Sequence, residues 1–214
     1  MGSVLVLDYP QARTRRLMLA LRACAIDARL SESPLQAKNA DHLIVPDGDD
    51  DDEALARGVG RGVLEALAAH IQKERPTLCI GLGLHFLLEG SAGPESPPGL
   101  GVFHAGVQRF DPRMTDEGER PLACPHTGRS LVVGLDRHPT LKTVLAPGQL
   151  GAWLAFRHRL CAPSRIPQAD VAVCHHGVPF AGAIWRGAVS AIQFLPEHSG
   201  RTGLAVLRAW RGQG

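Results

Sequence analysis

The chain has no surplus of charge, no long apolar run and no paired cysteines, and each absence removes a class of function. Lysine and arginine number 23 against 21 acidic residues, for a formal net charge of +2. Arginine is scattered along the sequence rather than clustered, so nothing marks a nucleic-acid partner or an anionic membrane surface. No stretch approaches the roughly 18 consecutive apolar residues of a membrane-spanning helix, and "MGSVLVLDYP" at the start has no basic segment ahead of its short apolar run. A cytoplasmic location is therefore expected. The five cysteines (Cys24, Cys79, Cys124, Cys161, Cys174) are odd in number and contain no C-x-x-C pair. That spacing excludes a disulfide framework and a zinc ribbon and predicts reduced, mostly buried thiols. Internal repeats are missing, and the one low-complexity tract is "DGDDDDE". What remains is 214 residues, 44% hydrophobic, enough for one full core: a single globular domain over residues 1–214 is expected.

The opening run "SVLVLDY" is continuously apolar and β-branched, as a strand covered on both faces would be. "TRRLMLALRACAI" follows with Leu17, Leu21 and Cys24 at helical spacing. "DHLIVPDG" repeats the strand signature, "EALARGVGRGVLEALAAHIQKE" the helix, weakened by Gly58, Gly60 and Gly62, and "TLCIGLG" is a third strand. Buried strands alternating with helices predict a parallel sheet and an α/β fold. After Gly90 comes a Pro/Gly loop and a segment whose Val102, Val107 and Phe110 face inward. Beyond it lie short runs bounded by turn residues: "SLVVGL", "GAWLAFRH", "DVAVCHH", "FAGAIWRG" and "VSAIQFL". These read as hairpin strands, with Trp153, Phe156 and Trp185 packing the sheet, and a final helix begins near Ser199.

The stretch "PTLCIGLGLHFLLEG" has the form of a nucleophile elbow, a strained strand-to-helix turn flanked by glycines. The reactive position of such a turn is here Gly81, which has no side chain. Glycine relieves a backbone strain of about 1–3 kcal/mol at such a bend. Gly83 keeps the second flanking role, and Cys79 stands two residues before the bend, where a buried thiol is the default for its position.

"PTLCIGLGLHFLLEGSAGPESPPGLGVFHAGVQRF" resembles the elbow segment of class I glutamine amidotransferases, and in particular of the glutaminase subunit of imidazole glycerol phosphate synthase. "VLVLDY", "DHLIVPDG", "PHTGRSLV" and "AIQFLPEHSG" follow the same order along almost the whole chain. The resemblance implies a flavodoxin-like fold: a central, mostly parallel sheet flanked by helices, with additional antiparallel strands in the second half. The family's triad is an elbow cysteine with the histidine and glutamate of a late F-H-P-E motif, in which thiolate attacks the glutamine amide, histidine moves the proton and glutamate orients histidine. The corresponding positions here are Gly81, Leu195 and Glu197, so two of the three roles are vacant. The family's P-G-V-G oxyanion loop is Pro46-Asp47-Gly48-Asp49, and its D-Y-G-x-G-N-L stretch is "DYPQART". A carboxylate at Asp47 is expected to be exposed or hydrogen-bonded, since burying it unpaired would be costly.

The resemblance also implies a partner, a cyclase-like barrel subunit docked over the cleft, with the face near Asp8 to Arg16, Pro125, His126, Gly128, Arg129 and His158 as the candidate interface. Neither a cofactor nor a metal is expected: "CHHG" and "CPH" lack paired ligand spacing, Gly81-x-Gly83 makes only a fragment of a dinucleotide fingerprint, and the acidic run from Asp47 to Glu53 reads as helix capping on a solvated loop. His85 and His198 are the nearby imidazoles, His198 reading as a solvent-facing residue. Three functions follow as alternatives: a catalytically inactive homologue that binds or scaffolds, an active amidotransferase with Cys79 as relocated nucleophile, and a small-molecule sensor using the former glutamine pocket.

Overall fold

A computed structural model describes residues 2–50, 60–90 and 99–212. Strand β1 (Val4–Leu7) leads into helix α1 (Thr14–Ala23), β2 (Ala28–Ser31), α2 (Pro34–Asn39) and β3 (His42–Val45). Helix α3 (Arg61–Ile71), β4 (Thr77–Ile80) and the short α4 (Leu82–His85) follow. The second half holds β5 (Gln108–Arg109), β6 (His126–Val133), β7 (Gly151–His158), β8 (Leu160–Cys161), β9 (Asp170–His176), β10 (Val178–Arg186) and β11 (Val189–Ile192), and α5 (Gly200–Arg211) comes last. Among the described residues, nine strands form one sheet in the order β2-β1-β3-β4-β11-β10-β9-β6-β7. The half from β2 to β11 is parallel and the half from β11 to β7 antiparallel, which is the mixed sheet the resemblance implied.

The strand alternation divides the core into two layers. Val4, Val6, Ile44, Leu78 and Ile80 pack with Leu17 and Leu21 of α1 and Val206, Leu207 and Trp210 of α5. Leu5, Leu7, Leu43, Val45 and Cys79 face the other way, toward Ala37 of α2 and Leu67 of α3. The short β8, β2 and α2 went unread in the sequence. β2 is an edge strand with an exposed middle and offers no apolar run. α2 carried a readable start, since Ser33 accepts a hydrogen bond from the Gln36 amide and Pro34 holds the first helical position. The helix expected from residue 53 onward is present from Arg61, with Gly60 as its cap, and its first part lies outside the described residues, as do Asp51 to Glu53.

Trp153 corrects the expectation that it packs the sheet: it is 60% exposed. β7 ends the sheet, and Trp153 stands opposite Leu131 on its outer surface, whereas Phe156 and Trp185 are buried.

Buried histidines give the fold a pH response. Burial lowers His85 to about 4, His126 to about 3 and His138 to about 4. All three stay neutral in the fold while the unfolded chain takes up protons below its ordinary histidine value, so stability falls as pH drops from 6.5 toward 4. Glu197 works oppositely: burial raises it to about 7, so its contribution is gained as pH falls from 7 toward the unfolded value of 4.5. Three groups outweigh one, and thermal unfolding is expected about 10 °C lower at pH 4.5 than at pH 7.5. A flat profile in differential scanning calorimetry would show that these imidazoles are not held neutral.

Candidate functional site

The carboxyl end of the parallel half of the sheet carries the site. β4 stops at Ile80 and the chain turns through Gly81 at φ 55°, ψ −115° into α4, backbone angles that a side-chain-bearing residue adopts only under strain. The Gly81 amide donates to the Ile192 carbonyl (2.8 Å) at the end of β11, so the bend is tied to the strand that leads to Leu195 and Glu197. Gly83 is glycine for contact reasons: a Cβ there would meet the Val45 carbonyl oxygen at 2.6 Å.

Asp47 occupies the space in front of the bend. A Cβ on Gly81 would lie 2.1 Å from Asp47 Oδ1 and 2.9 Å from His158 Cε1. The Asp47 carboxylate, 2% exposed, accepts the Leu82 backbone N–H at 3.0 Å. In an elbow, the amide just after the nucleophile is an oxyanion donor, so here a protein carboxylate sits where a substrate oxyanion would be received. Its other oxygen pairs with Arg13 (3.5 Å), and His158 Nδ1 lies 3.8 Å from Oδ1. Buried and hydrogen-bonded, Asp47 meets the condition its sequence position set.

The loop around Asp47 and the altered "DYPQART" stretch form one unit. Tyr9 donates its hydroxyl to the Pro46 carbonyl (2.8 Å), the Arg13 amide donates to the Asp47 carbonyl (2.7 Å), and the Asp49 amide to the Gln11 carbonyl (3.0 Å). Arg13 adds an ion pair to Asp49, and Ala12 bridges Gly48. A Cβ on Gly48 would lie 2.7 Å from the Tyr9 hydroxyl, which keeps that position glycine. Departures that looked independent in the sequence therefore touch one another. The reading of Asp47 to Asp50 as solvated helix caps is corrected: Asp47 binds the elbow, Asp49 binds Arg13, and buried Asp50 accepts the Arg159 amide at 2.7 Å.

A cleft of about 410 Å³ opens in front of Asp47, with Leu195 and Glu197 on its wall. Leu195 is buried and precedes a single 3-10 turn, Pro196–His198. Glu197 presents an Oε2 shielded from solvent with no hydrogen-bond partner, and burial pushes its carboxyl up to about 7. An apolar residue at the position the resemblance assigns to histidine leaves this carboxylate nothing to orient. Cys79 lies in the layer against α2 and α3, fully buried, and burial pushes its thiol far above the ordinary range. His85 is buried with Nε2 3.1 Å from Gln193 Oε1, and His198 is exposed.

Two residues assigned to the partner face are not on the surface. His158 is 2% exposed and forms the inner wall behind Asp47. His126 is equally buried, stacked between His176 (4.0 Å between centroids) and Phe156 (4.7 Å). Both occupy inward positions of their strands, while Arg129, Trp153 and Arg157 point outward and the exposed Gly128 shares the register of His126. Sequence reasoning placed the segment Asp8 to Arg16 on a candidate interface but missed the arginine cluster it forms with Arg157. Arg13, Arg15, Arg16 and Arg157 are far apart or merely adjacent in sequence, yet all line the cleft. Only the fold brings Arg157 of β7 into the same cleft as the start of α1.

A flavodoxin-like mixed sheet with an elbow at the end of β4 and a late acidic turn beside it defines a class I glutamine amidotransferase domain. No protein-family model matches the chain. Among curated proteins, it is 31% identical to the imidazole glycerol phosphate synthase subunit HisH of Symbiobacterium thermophilum over 98% of this chain and 93% of that one. It is 33% identical to the HisH subunit of Deinococcus radiodurans over 97% of this chain and 92% of that one. The chloroplastic imidazole glycerol phosphate synthase hisHF of Arabidopsis thaliana is 33% identical over 96% of this chain, which spans 33% of that protein. Solved structures share the fold. PurLQS of Thermotoga maritima superimposes with a TM-score of 0.69 at 15% identity (99% and 98% of the two chains), and a glutamine amidotransferase with 0.65 at 20% (98% and 97%). The chain belongs to the family of HisH glutaminase subunits of imidazole glycerol phosphate synthase.

Proposed function

We propose that the chain is a HisH-type protein that no longer cleaves glutamine and acts by binding, with a cyclase-like barrel as its foremost partner. The observation that carries this reading is Gly81 at the elbow with Asp47 bound over it. The nucleophile position has no side chain, and the amide that would stabilise an oxyanion is already engaged. Loss of nucleophile or base from a unit that acts together costs orders of magnitude in rate. A relocated Cys79 is a poor substitute, because the thiolate is the nucleophile and burial disfavours it.

One observation supports the binding role. Next to the cleft, the outer surface of the β6–β7 hairpin exposes Leu131, Val133 and Trp153 with Arg129 and Arg157, a mixture of aromatic and arginine groups common at protein interfaces.

Glutamine turnover by the purified protein, alone and mixed with the cyclase of an imidazole glycerol phosphate synthase, tests both halves. The expected result is turnover no higher than in a buffer blank, with a stable complex on size-exclusion chromatography that Trp153→Ala weakens about tenfold or more. Turnover abolished by Cys79→Ala would overturn the inactive reading, and no association with the cyclase would overturn that partner.

A further inference from the structure

The cleft in front of Asp47 is strongly cationic for a chain of nearly balanced charge. Four arginines, Arg13, Arg15, Arg16 and Arg157, face two carboxylates, Asp47 and Glu197, which leaves the lining at net +2. Arg13 is taken up by Asp47 and Asp49. Arg15, Arg16 and Arg157 have no carboxylate within ion-pair distance among the described residues, and their like charges are held together on one cavity wall. Helix α1 opens at the same place. Its cap residue, Arg13, makes no side-chain cap and its first turn contains no acidic residue, so its positive end is uncompensated. Facing these groups is Glu197 Oε2, shielded from water and without a hydrogen-bond partner. Such an atom is stable when something supplies the missing partner.

We propose that this cleft binds a small phosphate monoester, its phosphate held by Arg15, Arg16 and Arg157 at the amino end of α1 and a neighbouring hydroxyl or amino group hydrogen-bonded to Glu197 Oε2. Phosphate suits the site better than a carboxylate because it carries up to two charges and three acceptor oxygens, matching several guanidiniums and the helix end together. A second recess of about 580 Å³ shares Arg15, Arg16 and Glu197 and continues to Leu19, Ala20 and Leu204, with room for the rest of the molecule against a partly apolar wall. Burial raises the Glu197 carboxyl to about 7, so near neutrality the group can accept from a ligand hydroxyl or, protonated, donate to a phosphate oxygen. The site requires the cleft alone and is independent of whether a barrel protein docks.

Isothermal titration at constant ionic strength tests this with glycerol 3-phosphate, inorganic phosphate and L-glutamine as probes. Saturable binding of glycerol 3-phosphate is expected, with weaker binding of inorganic phosphate and none of glutamine. Arg16→Glu and Arg157→Glu should each weaken it about ten- to hundredfold, from the loss of a charge-assisted contact, with the urea midpoint of the free protein unchanged. Arg165→Glu, an exposed arginine outside the cleft, should leave it intact. No saturable signal, equal affinity in the Arg157 variant, or binding of glutamine or inorganic phosphate in place of glycerol 3-phosphate would each overturn the proposal. Because no cyclase is present, failure here says nothing against the partner reading, and loss of the complex says nothing against the phosphate site.

Discussion

Gly81→Cys yields a protein that hydrolyses no glutamine and unfolds about 6–12 °C below the parent, from a loss near 3 kcal/mol. Two terms make up that loss. A side chain at φ 55° is strained, and its Cβ would lie 2.1 Å from Asp47 Oδ1, so the carboxylate must leave. Asp47 has little freedom to do so, being short, buried and bound to the Leu82 amide and to Arg13. The terms separate in a double-mutant cycle. In an Asp47→Gly background the same cysteine is freed of the carboxylate and keeps its backbone strain and the 2.9 Å approach of His158 Cε1, giving a coupling of about 1–3 kcal/mol between the two sites. Calorimetry on the four proteins measures it. A Gly81→Cys single variant as stable as the parent would mean that Asp47 does not fill the elbow. The double variant would still lack an imidazole at Leu195, so restoration of turnover is expected only after Leu195→His is added.

Asp47→Ala is the second large effect, a destabilisation of about 2–4 kcal/mol. It leaves the Leu82 N–H buried without an acceptor and removes one of the two carboxylates on Arg13. The remaining pair to the half-exposed Asp49 keeps the cost toward the lower end for a broken buried pair. Asp47→Asn retains an oxygen for the Leu82 amide and should lose less than half as much. Urea unfolding reads the difference as a shift in midpoint at constant slope, and hydrogen exchange localises it: the Leu82 amide should exchange faster in the alanine variant and stay protected in the asparagine variant. An alanine variant as stable as the parent would mean that the carboxylate is held there at no net gain, and the elbow's occupation would then be incidental to the fold.

The fold was largely legible because its signals are local. "LVL", "LIV" and "LCI" are short buried runs, and a strand covered on both faces needs little else to be recognised. The hairpin strands "GAWLAFRH" and "DVAVCHH" coincide with β7 and β9 because turn residues bound them on both sides. β2 escaped notice for the opposite reason: an edge strand with its middle in solvent has no hydrophobic pattern to show. Placing Gly81 and Leu195 at the positions the resemblance assigns to nucleophile and base was likewise a matter of reading residue types along motifs.

Side-chain direction was where the sequence reading failed. His126 and His158 fell in segments assigned to a surface, yet strand alternation turns both inward, and Trp153 faces outward for the same reason. Asp47 looked like one acid in a solvated run. Its role depends on the carbonyl and amide groups of residues 9–13, to which its loop is clipped, and no spacing rule connects positions 9–13 with 46–49.

By itself, the sequence determined the α/β class and the glycine bend after the third strand, because hydrophobic period and residue identity are properties of neighbours along the chain. Only the tertiary structure decided what stands in front of that bend. Inserting β11 beside β4 brings Glu197 to the elbow, carrying Asp47 on the end of β3 places a carboxylate on the Leu82 amide, and one cleft gathers Arg15, Arg16 and Arg157 from a chain in which they looked dispersed. Charges and hydrogen-bonding groups act over a few ångströms in space whatever their separation in sequence, so the chemistry of the cleft came into view only when the sheet order was known.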